Sequence, residues 1–218
     1  MNLRYQSFRA FLLILLPLWS LAQAPAFENE IQAFEKLDKV ALIAPDPIVF
    51  TGSSSIRLWE NVGDSFPKKN ILNRGFGGSQ LTDVLRYADR VIVRYNPKQI
   101  VLYAGENDVA AGVSGQQTYE RFVALFTHVR QKLPNVSFAF ISLKPSPSRR
   151  KFFSEMDTAN QLIKQYLAKQ RNTEFVDIRP IMLTPGGQPV PELFKADSLH
   201  MLPAGYQRWT KVLAPYLK

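Results

Sequence analysis

Ile48-Val49-Phe50-Thr51-Gly52-Ser53-Ser54-Ser55 is a short apolar run that stops at a glycine and opens into three serines. A strand buried on both faces reads this way, without the alternation of a half-exposed strand. Upstream, Phe27, Ile31, Phe34, Leu37, Val40 and Ala41 recur in steps of three and four. That spacing predicts an amphipathic helix over 27–44, ended by Pro45 and Pro47. Downstream the same alternation continues: strand 70–74, glycine turn 75–78, helix 79–94, strand 99–103, loop 105–115 and helix 116–133. Strand 136–142, loop 144–150, helix 152–170 and strand 173–176 follow. An irregular Pro- and Gly-containing stretch covers 179–191, and a helix over 203–217 closes the chain. Alternating strands and helices of this length give an α/β domain, a three-layer α/β/α sandwich around a five-stranded parallel sheet. Ligands of such sheets bind at the carboxyl ends of the strands, where the strand order reverses. If the order is 2-1-3-4-5, the loops after the first three strands are neighbours.

Composition narrows the function classes. The chain has 218 residues, 46% hydrophobic and 21% charged, enough for one domain with a sizeable core. Arg4 and Arg9 precede an apolar run over 10–21, and small residues follow at Ala22 and Ala24. Basic, then apolar, then small is the layout of a secretory signal peptide. The run is shorter than the roughly 20 apolar residues of a membrane span, and Pro17 interrupts it. The expectation is a signal peptide over 1–22 cleaved after Ala22, a mature domain over 23–218, no membrane span after cleavage, and a secreted or periplasmic location. The signal carries two positive charges and no acid, so the net charge falls from +9 to +7 on cleavage. These charges are scattered, and no basic helix points to a nucleic-acid partner. The densest cluster, Lys144, Arg149, Arg150 and Lys151, reads as a solvated loop, with a lip for an anionic substrate as the alternative. There is no cysteine, and there are only two histidines. Disulfides and thiolate chemistry are excluded, and a zinc site is not expected.

Three loops and one turn carry candidate chemistry. Ser53–Ser55 follow a strand and open a helix; a serine there is a nucleophile held at the sheet's rim or a helix cap. Gly75-Phe76-Gly77-Gly78 is a tight turn or a source of oxyanion-binding N–H groups. Asn107, in Gly105-Glu106-Asn107-Asp108, is an oxyanion donor or an Asx turn. Asp197-Ser-Leu-His200 places a carboxylate three residues before a histidine, a spacing that lets the acid orient the imidazole. His128 lies off the apolar stripe of helix 116–133 and reads as exposed, without a partner.

Taken together in chain order, these stretches resemble the SGNH (GDSL-type) hydrolase superfamily. The resemblance rests on V-F-T-G-S-S-S-I-R-L-W (49–59), N-R-G-F-G-G-S-Q-L-T-D-V (73–84), Y-A-G-E-N-D (103–108) and D-S-L-H-M-L-P-A-G-Y (197–206). The first block has serines where the family's G-D-S-L has aspartate and leucine. It is similar to the branch of platelet-activating-factor acetylhydrolases and bacterial acetylesterases. The resemblance implies the flavodoxin-like strand order 2-1-3-4-5. It implies Ser54, His200 and Asp197 as catalytic residues, with Ser54, Gly78 and Asn107 forming the oxyanion hole. No metal or cofactor is expected. Trp59 and Phe76 are candidates for the wall of the substrate pocket. The implied activity is hydrolysis of short-chain acyl esters, acetyl esters on carbohydrate foremost. Two alternatives stay open: a lysophospholipase or phospholipid acetylhydrolase, and a non-catalytic carbohydrate-binding module on the same scaffold.

Overall fold

The computed structural model describes residues 26–218; the expected signal peptide lies outside the described residues. Its centre is a parallel sheet of β1 (Ile48–Gly52), β2 (Ile71–Gly75), β3 (Gln99–Tyr103), β4 (Ser137–Ile141) and β5 (Thr173–Val176) in the order β2-β1-β3-β4-β5. The order reverses between β1 and β3. Gly52 pairs with Gly75 on one side and Tyr103 on the other, so three candidate loops leave the same edge together.

The helices are α1 (Glu28–Asp38), α2 (Ser54–Arg57), α3 (Val62–Ser65), α4 (Leu81–Val91), α5 (Glu106–Ala110), α6 (Gly115–Lys132), α7 (Phe153–Leu167) and α8 (Pro203–Leu213). Successive strand side chains point to opposite faces, and the two cores follow that alternation. Ile100, Leu102, Phe138 and Phe140 pack with residues of α1, α4, α6 and α7. Val101, Tyr103, Ala139 and Ile141 pack with Ile56, Val62 and Trp209, so α2, α3 and α8 cover the other face.

The structure departs from the sequence reading in four places. The helix expected over 27–44 stops at Asp38, whose carboxylate is taken by Arg74 of β2 and the Tyr95 hydroxyl. The apolar spacing runs on past the point where the chain leaves the core, and Val40 and Leu42 are 85% and 100% exposed. The loop over 105–115 contains α5, opened by Gly105 at φ +118. Residues 147–152 form a 3-10 turn rather than open loop, and Lys144 is buried within the protein. His128 does have a partner: its Nε2 lies 2.8 Å from Asp89 on α4.

Candidate active site

Ser54 is the first residue of α2, separated from β1 by Ser53 alone. Gly52 has φ +120, and a Cβ there would lie 2.0 Å from the carbonyl oxygen of Tyr103. Only glycine lets β1 turn so close to β3. The Ser53 N–H then donates to that same carbonyl at 2.9 Å. The turn sorts the three serines: Ser53 and Ser55 are 3% and 2% exposed, while Ser54 reaches the surface. The Tyr206 hydroxyl of α8 donates to the Ser55 carbonyl at 2.9 Å, tying the serine helix to the C-terminal helix.

Ser54 Oγ lies 2.9 Å from His200 Nε2, and His200 Nδ1 lies 2.7 Å from Asp197 Oδ2. The other Asp197 oxygen accepts the N–H groups of Leu199 and His200, both at 2.9 Å. This closed turn places Ser198 at φ +57 and is flanked by the bridge between Phe194 and Met201. Partial burial pushes the Asp197 carboxyl up. The His200 ring and the two backbone N–H groups outweigh it and hold the carboxyl at about 2. An anionic Asp197 keeps the imidazole proton on Nδ1, leaving Nε2 as an acceptor facing the serine hydroxyl.

Asn107 stands second in α5. Its Nδ2 donates to the Ser79 carbonyl at 3.2 Å and lies 3.8 Å from where a Cβ on Gly78 would be. An amide nitrogen carries two protons, so one remains for a ligand. The backbone N–H groups of Ser54 and Gly78 have no partner among the described residues. The turn carrying Gly78 packs on α2: a Cβ on Gly75 would sit 2.5 Å from the Arg57 nitrogen. Asp108, fully buried, accepts Arg121 Nη1 at 2.8 Å and the Leu81 N–H at 3.0 Å. It thereby joins α5 to the start of α4. Among the described residues, no group of three or more histidine or acidic side chains is arranged to hold a metal.

Two expected wall residues lie elsewhere. Phe76 is fully buried, edge-on to Phe27 and Tyr87, because its side chain points into the core from the glycine turn. Trp59 is 1% exposed, stacked on Tyr206 at 5.1 Å and edge-on to Phe50 and Trp209. Its edge borders a surface groove of about 340 Å³ shared with Leu58, Lys195 and Met201. Both rings belong to the packing behind the site.

Sequence reading missed a buried polar group next to Asn107. Glu106 accepts hydrogen bonds from Tyr103, Lys144 and Ser146. Burial and the neighbouring Glu106 carboxylate push the Tyr103 hydroxyl well above its ordinary value. Thirty-eight residues separate Glu106 from Lys144, and no local pattern signals that contact. The available signal was position alone: both follow strands at the carboxyl edge.

The parallel sheet in this order, with a serine, a histidine and an aspartate joined by hydrogen bonds at its reversal point, defines an α/β/α hydrolase. The chain belongs to the GDSL-like lipase/acylhydrolase family, whose model matches residues 49–208, and at that level it is a carboxylic ester hydrolase of SGNH type. No curated protein sequence matches it. Among solved structures, it is similar to a Streptococcus pneumonia protein provisionally described as a platelet activating factor: TM-score 0.77, 24% identity, 87% of this chain and 92% of that one. It is similar to a GDSL-like lipase from Bacteroides thetaiotaomicron: TM-score 0.70, 19% identity, 85% and 95% covered. It is also similar to an acetyl-xylooligosaccharide esterase from Geobacillus Stearmophilus: TM-score 0.62, 14% identity, 80% and 95% covered.

Proposed function

We propose that this protein is an exported serine esterase that removes short acyl groups, acetyl groups on carbohydrate foremost. The observation that carries the reading is the hydrogen-bond chain Ser54–His200–Asp197, with 2.9 Å and 2.7 Å separations. In the proposed reaction Ser54 Oγ attacks the ester carbonyl carbon while His200 Nε2 accepts its proton. Asp197 steadies the imidazolium. The negative charge on the carbonyl oxygen is met by the N–H groups of Ser54 and Gly78 and by the free Asn107 amide proton. His200 then protonates the departing alcohol, and water, deprotonated by the same imidazole, releases the acid.

The acetyl and carbohydrate parts rest on analogy with the acetyl-xylooligosaccharide esterase, whose similarity to this chain is one of fold. Export rests on the composition of the first 22 residues. No described helix is long and apolar enough to cross a membrane.

Ser54→Ala is expected to abolish p-nitrophenyl acetate hydrolysis and fluorophosphonate labelling, while Ser53→Ala and Ser55→Ala keep most of both. An active Ser54→Ala variant would sink the mechanism. A wild-type protein that the fluorophosphonate leaves unlabelled would instead support a binding module. Acetylated xylan, acetylated peptidoglycan and lysophospholipid, compared alongside acetyl and octanoyl p-nitrophenyl esters, separate the carbohydrate reading from the phospholipid one.

A further inference from the structure

Behind Asn107 lies an ion pair that the proposed chemistry does not use. The side chains of Glu106 and Lys144 are 4% and 1% exposed and contact each other directly. Withdrawing two opposite charges from water often costs as much as their attraction returns, so such a pair is a poor way to gain stability alone. This one is unusually well partnered. Glu106 also accepts the hydroxyls of Tyr103 and, at 3.1 Å, Ser146, and Arg149 Nε approaches it at 3.8 Å. Lys144 returns to the Tyr103 oxygen through both its backbone N–H at 3.3 Å and its Nζ at 3.4 Å.

The network joins loops that must be in register. Tyr103 ends β3, Glu106 begins α5, and Lys144 and Ser146 follow β4. The β4 loop is held from behind, where Asn160 Oδ1 accepts the Leu143 N–H at 2.8 Å. In front it meets the histidine turn, where the Ser148 N–H donates to the Ser198 carbonyl at 3.0 Å. Asn107 stands between two anchors: Glu106 on one side, and on the other Asp108, bound to Arg121 and the Leu81 N–H.

We infer that Glu106, locked by Lys144, Tyr103 and Ser146, is a positioning residue that sets the Asn107 amide at the height of the oxyanion relative to His200. Gly105, at φ +118, leaves the start of α5 without a helical turn before it to hold it. The Glu106 carboxylate holds the first residue of α5 on the β4 side, as Asp108 holds the helix on the α4 side. The inference rests on the serine-esterase reading and deepens it.

A double-mutant cycle with p-nitrophenyl acetate tests it. Glu106→Gln is expected to lower kcat roughly 10- to 100-fold with KM within about two-fold, the signature of a misplaced group rather than a weakened binding surface. Asn107→Ala is expected to cost roughly 10²–10³ in kcat. If Glu106 acts through Asn107, adding Glu106→Gln to Asn107→Ala should lower kcat by less than about three-fold more. Should Glu106→Gln fail to fold, Glu106→Gln with Lys144→Met replaces the pair by neutral groups of similar size and enters the same cycle. Unchanged kcat in a folded Glu106 variant, or losses that multiply in full, would overturn the inference. That failure is separable from failure of the esterase reading. In the first case wild-type protein still hydrolyses the ester and takes the fluorophosphonate at Ser54; in the second it does neither.

Discussion

Ser54 is the middle of three identical residues, and its chemistry is decided by a neighbour two positions back. Gly52 turns the chain so that one hydroxyl of the three faces His200 and the other two are covered. Sequence order and family resemblance selected Ser54 through its spacing from that glycine. What the sequence could not show is why its neighbours are poor substitutes, because burial of Ser53 and Ser55 depends on β3 and α8. The same limit applies to Trp59 and Phe76. An aromatic residue near a motif looks the same in sequence whether it faces a cleft or the core behind it. Asp197 gives the sharpest test at this scale. Its carboxyl is held at about 2 by hydrogen bonds that outweigh partial burial. A depressed carboxyl stabilises the fold above its unfolded value of 3.8, and that contribution is lost as pH falls through about 2. Asp197 is therefore ionised at every ordinary assay pH, and its own protonation does not shape the pH–rate profile there. Asp197→Asn should lower kcat roughly 10²–10⁴-fold, since a neutral amide no longer holds the imidazole proton on Nδ1. Steady-state rates across pH, with circular dichroism as the check on folding, measure this.

At the level of elements, strands were easier to read than helix ends. The limits of β3 and β5 agree with the sequence reading, β3 as a wholly buried strand and β5 as a partly buried one at the sheet's edge. Helix α1 ends three residues before its apolar spacing does. Spacing records which face could be buried, whereas the end of α1 is set by long-range partners at Asp38. That carboxylate binds Arg74, whose guanidinium lies 5.0 Å from the Phe34 ring centre and 4.9 Å from that of Tyr95. The pair is almost wholly buried, so removing one partner strands the other. Asp38→Ala is expected to destabilise the protein by roughly 3–5 kcal/mol, read as a lower urea midpoint. Asp38→Leu combined with Arg74→Met should recover much of the loss. The Glu106–Lys144 pair was illegible for a related reason. A lysine in a Pro- and Ser-rich stretch next to two arginines reads as solvated until β4 is placed beside β3.

Across the whole molecule, the sheet order brings together residues from four distant parts of the chain, and that order was legible only through the family resemblance. Alternating elements establish a parallel sheet but leave several orders open. Export belongs to this scale too, because it concerns the chain as a whole. The proposed cleavage after Ala22 predicts that protein recovered from the producing cell's envelope or medium begins at Gln23, which N-terminal sequencing and intact mass would read. A start at Met1 would count against it. One feature of the site also bears on how the molecule comes into being. Ser54 and His200 are 146 residues apart in the chain. At ribosomal speeds of about 5–20 residues per second, the serine is made roughly 7–30 s before its proposed base. On the proposed mechanism, the nascent chain holds an unactivated alcohol through that interval, and reactivity is withheld until the histidine turn has been synthesised and folded.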